Sequence, residues 1–138
     1  MSIETLISVL VGISTGIITG LYTALIVARY QRFADLRGQV LRIIREIDFV
    51  HEGARVLFPR RKEVSDFSTI ASDLLFLQHS EAADKLLKLS IEINETISYA
   101  INGSITIDSL TARFSSWQDT GRSLAPSKRR LFRLWSGL

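Results

Sequence analysis

Charge is absent from the chain between Glu4 and Arg29, so Thr5 to Ala28 is a run of 24 residues without Asp, Glu, Lys or Arg. A membrane-crossing helix needs about 20 such residues, and a core helix apolar on every side needs a larger protein around it. The apolar region of a secretory leader is about 7–15 residues long and follows positive charge. Here Glu4 precedes the run and the basic residues come after it. The pattern predicts a transmembrane span over residues 1–28. Beyond it, apolar residues return as Phe33, Leu36, Val40, Ile43, Ile47, Val50, Ala54 and Leu57, in alternating steps of 3 and 4. That is a heptad seam, widened by Leu41 and Ile44 to the broader face of a bundle helix. The seam through Leu36, Val40, Ile43, Ile47, Val50 and Leu57 predicts that the span's helix continues without a stop towards Pro59. Pro59 and Arg60-Arg61-Lys62 then read as a break and a turn.

The same spacing predicts three more helices. Ser65 or Asp66 starts the second, with Phe67, Ile70, Leu74 and Leu77 inward. Ser80 caps the third, with Glu81 and Asp84 in its first turn, where carboxylates suit the helix dipole. Leu86, Leu89, Ile93, Ile97 and Ala100 are its apolar set, and Asn102-Gly103 ends it as a left-handed residue does. The fourth starts near Thr106 or Asp108 and carries Ile107, Leu110, Phe114, Trp117, Gly121 and Leu124. No strand is expected. The fold class is all-α: one N-terminal transmembrane helix running into a small cytosolic antiparallel bundle over 29–125, followed by a basic amphipathic tail over 126–138.

Within the span, small residues recur every fourth position: Ser8, Gly12, Gly16, Gly20, Ala24 and Ala28. Thr15, Thr19 and Thr23 form a second row one residue earlier, and Ile13, Ile17, Leu21 and Leu25 make a bulky row. Each interior glycine costs a helix about 1 kcal/mol relative to alanine. In lipid that cost is offset when small residues let two backbones approach. The ribbon therefore reads as a helix–helix interface and implies a homo-oligomer. It resembles the glycine zippers of pore and channel proteins. With no charge inside the span, a pore built from it would discriminate little between ions of either sign.

Charge sets orientation. Residues 29–62 hold nine basic residues against four acids, which by the positive-inside rule puts the N-terminus outside and the C-terminus in the cytoplasm. Only about four residues then precede the span on the outer side, too few for a sensing domain. Residues 63–119 carry three bases against nine acids, and residues 120–138 carry five bases and no acid. In an up-and-down bundle the tail returns to the bilayer. Pro126 can open a short helix there. Lys128, Arg129, Arg130 and Arg133 would meet anionic headgroups, with Trp135 at headgroup depth. The expected partners are membrane lipid, further copies of the chain and a cytosolic trigger protein. The basic flanks lack a nucleic-acid module, and nucleic acid is not expected.

Enzymatic signals are thin. The chain has no cysteine, no phosphate-binding glycine loop and no clustered metal ligands, so neither cofactor nor metal is expected. Arg45 and His51 form R-x5-H, which resembles the R-x4-6-H motif of HEPN ribonucleases. Thirteen arginines make a match to one of two histidines an even chance. Six residues also turn two side chains about 120° apart on a helix. No catalytic residue is assigned. The plan of one glycine-rich span, a long helix and a small bundle resembles the membrane accessory proteins of bacterial antiviral defence, loosely the HEPN-like membrane pore proteins of type VI-B CRISPR systems. That resemblance implies an oligomeric protein of a bacterial inner membrane that permeabilises or depolarises it. The rival readings are a membrane-anchored module that recruits a cytosolic partner, and a membrane-tethered HEPN-type ribonuclease.

Overall fold

The computed structural model describes residues 2–47 and 65–132 in full and the backbones of 50–52 and 55–57. It is an all-α bundle built on one long helix. The elements are α1 (Ile3–Glu46), β1 (Val50–Glu52), β2 (Arg55–Leu57), α2 (Asp66–Phe76), α3 (Ser80–Ile101), α4 (Ile107–Ser123) and α5 (Lys128–Leu131). At 1.5 Å per residue, α1 is about 66 Å long. Its 44 residues run without a break from the uncharged stretch into the bundle. The Ser2 hydroxyl caps it by accepting from the Thr5 amide at 3.4 Å.

Only the second half of α1 is covered. Phe33, Leu36, Val40, Ile43 and Ile44, followed by Ile47, are buried in one core with Phe67, Leu74, Leu86, Ile93 and Trp117. The bundle runs up, down, up and down. The end of α2 sits beside Leu25 and Ala28 of α1, Gly121 near the end of α4 stands against Leu41 and Ile44, and Ser127 reaches His79 at the start of α3. A smaller cluster of Ala100 and Leu110, flanked by Ile105 and Phe114, closes the far pole. The indole of Trp117 is fully buried, and its N–H donates to Glu92 Oε1 at 3.2 Å, so its one polar atom is satisfied.

Both tight helix connections use the same stop. After α3, Gly103 takes φ 70°, with Gly103 N donating to Ala100 O and Ser104 N to Tyr99 O. After α2, Gln78 takes φ 60°, with Gln78 N donating to Leu75 O and His79 N to Leu74 O. These are paired Schellman bonds around a left-handed residue. At 103 the residue is the glycine that this conformation favours, whereas at 78 it is glutamine.

Three sequence expectations need correction. The first helix ends at Glu46, and Val50 and Leu57 belong to a short antiparallel strand pair in which they face each other in register. Their heptad spacing therefore does not extend the helical seam. Val50 and Val56 are β-branched, which favours strand over a further helical turn. Ile107 is 41% exposed at the first position of α4. The N-cap of α3 is His79, without a side-chain capping bond, in place of Ser80. The expected turn at Pro59–Lys62 lies outside the described residues.

Candidate functional site

Two features of α1 have chemistry to offer, and they follow each other along the helix. The first is the small-residue ribbon. Every described residue up to Leu21 is exposed, apolar ones included: Ile7, Leu10, Ile13, Ile17 and Leu21 are not covered by the other described residues. Among the described residues, α1 is the one helix long and apolar enough to cross a membrane. A Cβ added at Gly12, Gly16 or Gly20 would meet nothing within 4 Å. Together with Thr15, Thr19, Thr23 and Ala24 these glycines form a shallow open groove. Thr23 Oγ1 donates to Thr19 O at 2.9 Å, so this hydroxyl is satisfied within its own helix. Ser8 is exposed one turn before the groove, and Ala28 lies beyond it, at the second feature. A ribbon stepping by four drifts about 40° per step on a 3.6-residue helix, so a partner would have to cross it at an angle.

The second feature is a cleft of about 510 Å³ where the uncharged run ends. Leu25, Ala28, Arg29 and Arg32 of α1 form one wall, the α2–α3 turn from Phe76 to His79 another, and Arg130 and Leu131 of α5 the third. Three bonds hold α5 in this position. The Ser127 amide donates to His79 Nδ1 at 3.1 Å, Arg29 Nη1 to Arg130 O at 3.2 Å, and the Tyr22 hydroxyl to Phe132 O at 2.9 Å. The His79 ring stands edge-on to Phe33, 5.0 Å between centroids. Burial, and then the charge of Arg130, push the His79 pKa below its usual 6.5, so the ring is neutral at pH 7 and free to accept at Nδ1. Beside the cleft Phe76 is 80% exposed and Leu75 50% exposed.

The expected headgroup residues divide. Lys128 and Arg129 are exposed, Arg130 is half-buried at the cleft, and Arg133 and Trp135 lie outside the described residues. The seam residues Leu36, Val40, Ile43 and Ile47 are inside the bundle of a single chain. Arg45 is exposed in the last turn of α1, and His51 lies beyond the helix end in β1, so the R-x5-H pair does not share a helix. His79 and Arg29 are the residues that sequence reasoning missed. His79 reads there only as a helix boundary, and its 48-residue separation from Ser127 leaves no local pattern. The chain matches no family model, no curated protein and no solved structure.

Proposed function

We propose that this is an oligomeric, single-span membrane protein that assembles through the Gly12–Gly16–Gly20 ribbon and permeabilises the membrane it sits in. The observation that carries the reading is the uncovered first half of α1. From Thr5 to Leu21 the uncharged helix is exposed, without cover from the other described residues, and its one thin face is a groove of glycine, threonine and alanine. Burying that surface takes lipid on the bulky rows and a second backbone in the groove. The excess of basic residues after the span supports an orientation with the bundle in the cytoplasm. A role in bacterial antiviral defence, with a cytosolic protein as trigger, fits this plan as a resemblance.

The test is ion flux from liposomes reconstituted with the full chain. Flux that rises steeply with protein per vesicle, and is lost with Gly16→Leu, supports the reading. A crosslinked oligomer that conducts nothing shifts it to a membrane-anchored interaction module. That second reading is favoured by Leu87 and Ile91, exposed one turn apart on α3. RNA cleavage by the chain, lost with His51→Ala, would support the ribonuclease alternative.

A further inference from the structure

The end of the bundle that lies against the uncharged run carries apolar side chains turned away from the core. Leu75 is 50% and Phe76 80% exposed at the close of α2, and Phe132 is 58% exposed just after α5. Large apolar groups left uncovered at one end of a domain mark a contact surface. The level of this surface along α1 is fixed by two observations. Phe76 lines one cleft with Leu25, Ala28 and Leu131, and the Tyr22 hydroxyl donates to Phe132 O at 2.9 Å. Both aromatic residues are therefore held beside positions that still belong to the uncharged run.

That level has a depth in a membrane-inserted chain. The hydrocarbon core takes about 20 helical residues. Counted from Thr5, these end near Ala24, which leaves Tyr22 at the hydrocarbon edge and Leu25 to Ala28 in the interface. The backbone of α5 is provided for accordingly. A helix leaves its last carbonyls without intrahelical partners, and at an ordinary surface water can take them. Here Arg130 O accepts from Arg29 Nη1 at 3.2 Å, and Phe132 O accepts from Tyr22. Side chains of α1 thus satisfy two carbonyls of α5 and its cap, as backbone close to lipid requires. The same depth selects the occupant. Headgroups fill the space beside the span, so a soluble partner cannot reach Phe76 there, whereas phenylalanine and leucine bury readily at the boundary between headgroups and acyl chains.

We infer that the bundle is seated on the bilayer, with Phe76 and Leu75 of α2 and Phe132 after α5 inserted into the lipid interface beside the span. The domain then holds the membrane at a second place besides α1, through apolar insertion and not through headgroup charge. This seating rests on the membrane-span reading and needs neither self-association nor flux.

The chain has no cysteine, so single cysteines can carry a nitroxide label without background. The full-length variants Phe76→Cys and Phe132→Cys are reconstituted in phosphatidylcholine liposomes. Label collision with oxygen, which concentrates in lipid, is compared with collision with a water-soluble nickel chelate. Ile17→Cys, in the uncovered run, is the lipid reference, and Ile91→Cys, 59% exposed halfway along α3, is the water reference. The ratio of oxygen to nickel collision at 76 and at 132 should be several-fold higher than at 91 and approach that at 17. A label at either position that behaves like the one at 91 overturns the seating while the span stands. Shielding from both reagents at 76 would mark cover by the rest of the chain or by a second copy, and also overturns it. An Ile17→Cys label open to nickel refutes the span and the seating together.

Discussion

Gly121 of α4 faces Leu41 of α1 with no room for a side chain between them: a Cβ at 121 would stand 2.9 Å from Leu41 Cδ2 and 3.2 Å from Ile44 Cδ1. Both contacted atoms are ends of side chains, and Leu41 is half-exposed, so it can swing aside for one methyl group. Gly121→Ala should therefore change stability by less than about 1 kcal/mol, the gain in helix propensity offsetting the displacement. Gly121→Leu cannot be accommodated without separating the two helices and should cost about 1–3 kcal/mol or more. Gly38, with nothing within 4 Å of an added Cβ, provides the comparison: Gly38→Ala should stabilise by up to about 1 kcal/mol. Thermal unfolding of the three variants checks this. Equal melting temperatures for Gly121→Leu and Gly38→Ala would mean that α4 does not approach α1 there.

The span glycines should behave in the opposite way. Gly12, Gly16 and Gly20 meet nothing within their own chain, so Gly16→Leu should leave the melting of the bundle unchanged. In membranes it should strongly reduce crosslinked oligomers by holding two backbones apart. Leu21→Ile, on a bulky row, should be mild. Oligomers unaffected by Gly16→Leu would leave the ribbon without a role in assembly.

Where one local rule acted alone, the sequence was a good guide. The heptad steps located the buried face of α1 from Phe33 to Ile47, because each of those residues meets the core of its own bundle. Asn102-Gly103 marked a stop that a left-handed glycine makes. The pattern misled where two structures share a spacing. Val50 and Leu57 keep the heptad step, yet they oppose each other in an antiparallel strand pair, and the β-branched Val50 and Val56 were the better signal. The cleft was not legible at all. It joins Arg29, Phe76, His79 and Arg130, residues from three elements whose meeting depends on how α4 and its extended exit, Leu124–Ser127, return along α1.

Gln78 supplies a prediction about strain. The two Schellman stops differ chiefly in the residue at the left-handed position, Gln78 after α2 and Gly103 after α3. A non-glycine residue in that conformation costs about 1–2 kcal/mol, partly recovered because glycine loses more backbone entropy on folding. Gln78→Gly should raise stability by about 0.5–1 kcal/mol, and Gly103→Ala should lower it by a similar amount. Both shifts are measurable by chemical denaturation. A Gln78→Gly variant less stable than the wild type would show that the glutamine side chain contributes more to folding than its backbone costs.

His79 couples the fold to pH, and the sign follows from its surroundings. The ring is 4% exposed, packed edge-on to Phe33, and its Nδ1 accepts the Ser127 amide. A protonated ring would carry a proton on Nδ1 and lose that bond. Burial first, and the positive charge of Arg130 second, push its pKa below 6.5. Among the described residues, the other charged groups lining the same cleft are Arg29 and Arg32, also cations. The folded chain thus binds this proton less readily than the unfolded chain. The neutral ring's contribution to stability is complete above pH 6.5 and falls as pH drops below it, until the folded form itself takes the proton. The loss should be no steeper than about 1.4 kcal/mol per pH unit. The melting temperature should therefore decline between pH 7.5 and pH 5.5. In His79→Asn the side-chain oxygen can still accept from Ser127 N but cannot titrate, so the variant should melt lower at pH 7.5 and follow a flatter profile. His51 is common to both chains and cancels in the comparison. Parallel profiles for wild type and variant would show that His79 does not link protonation to folding.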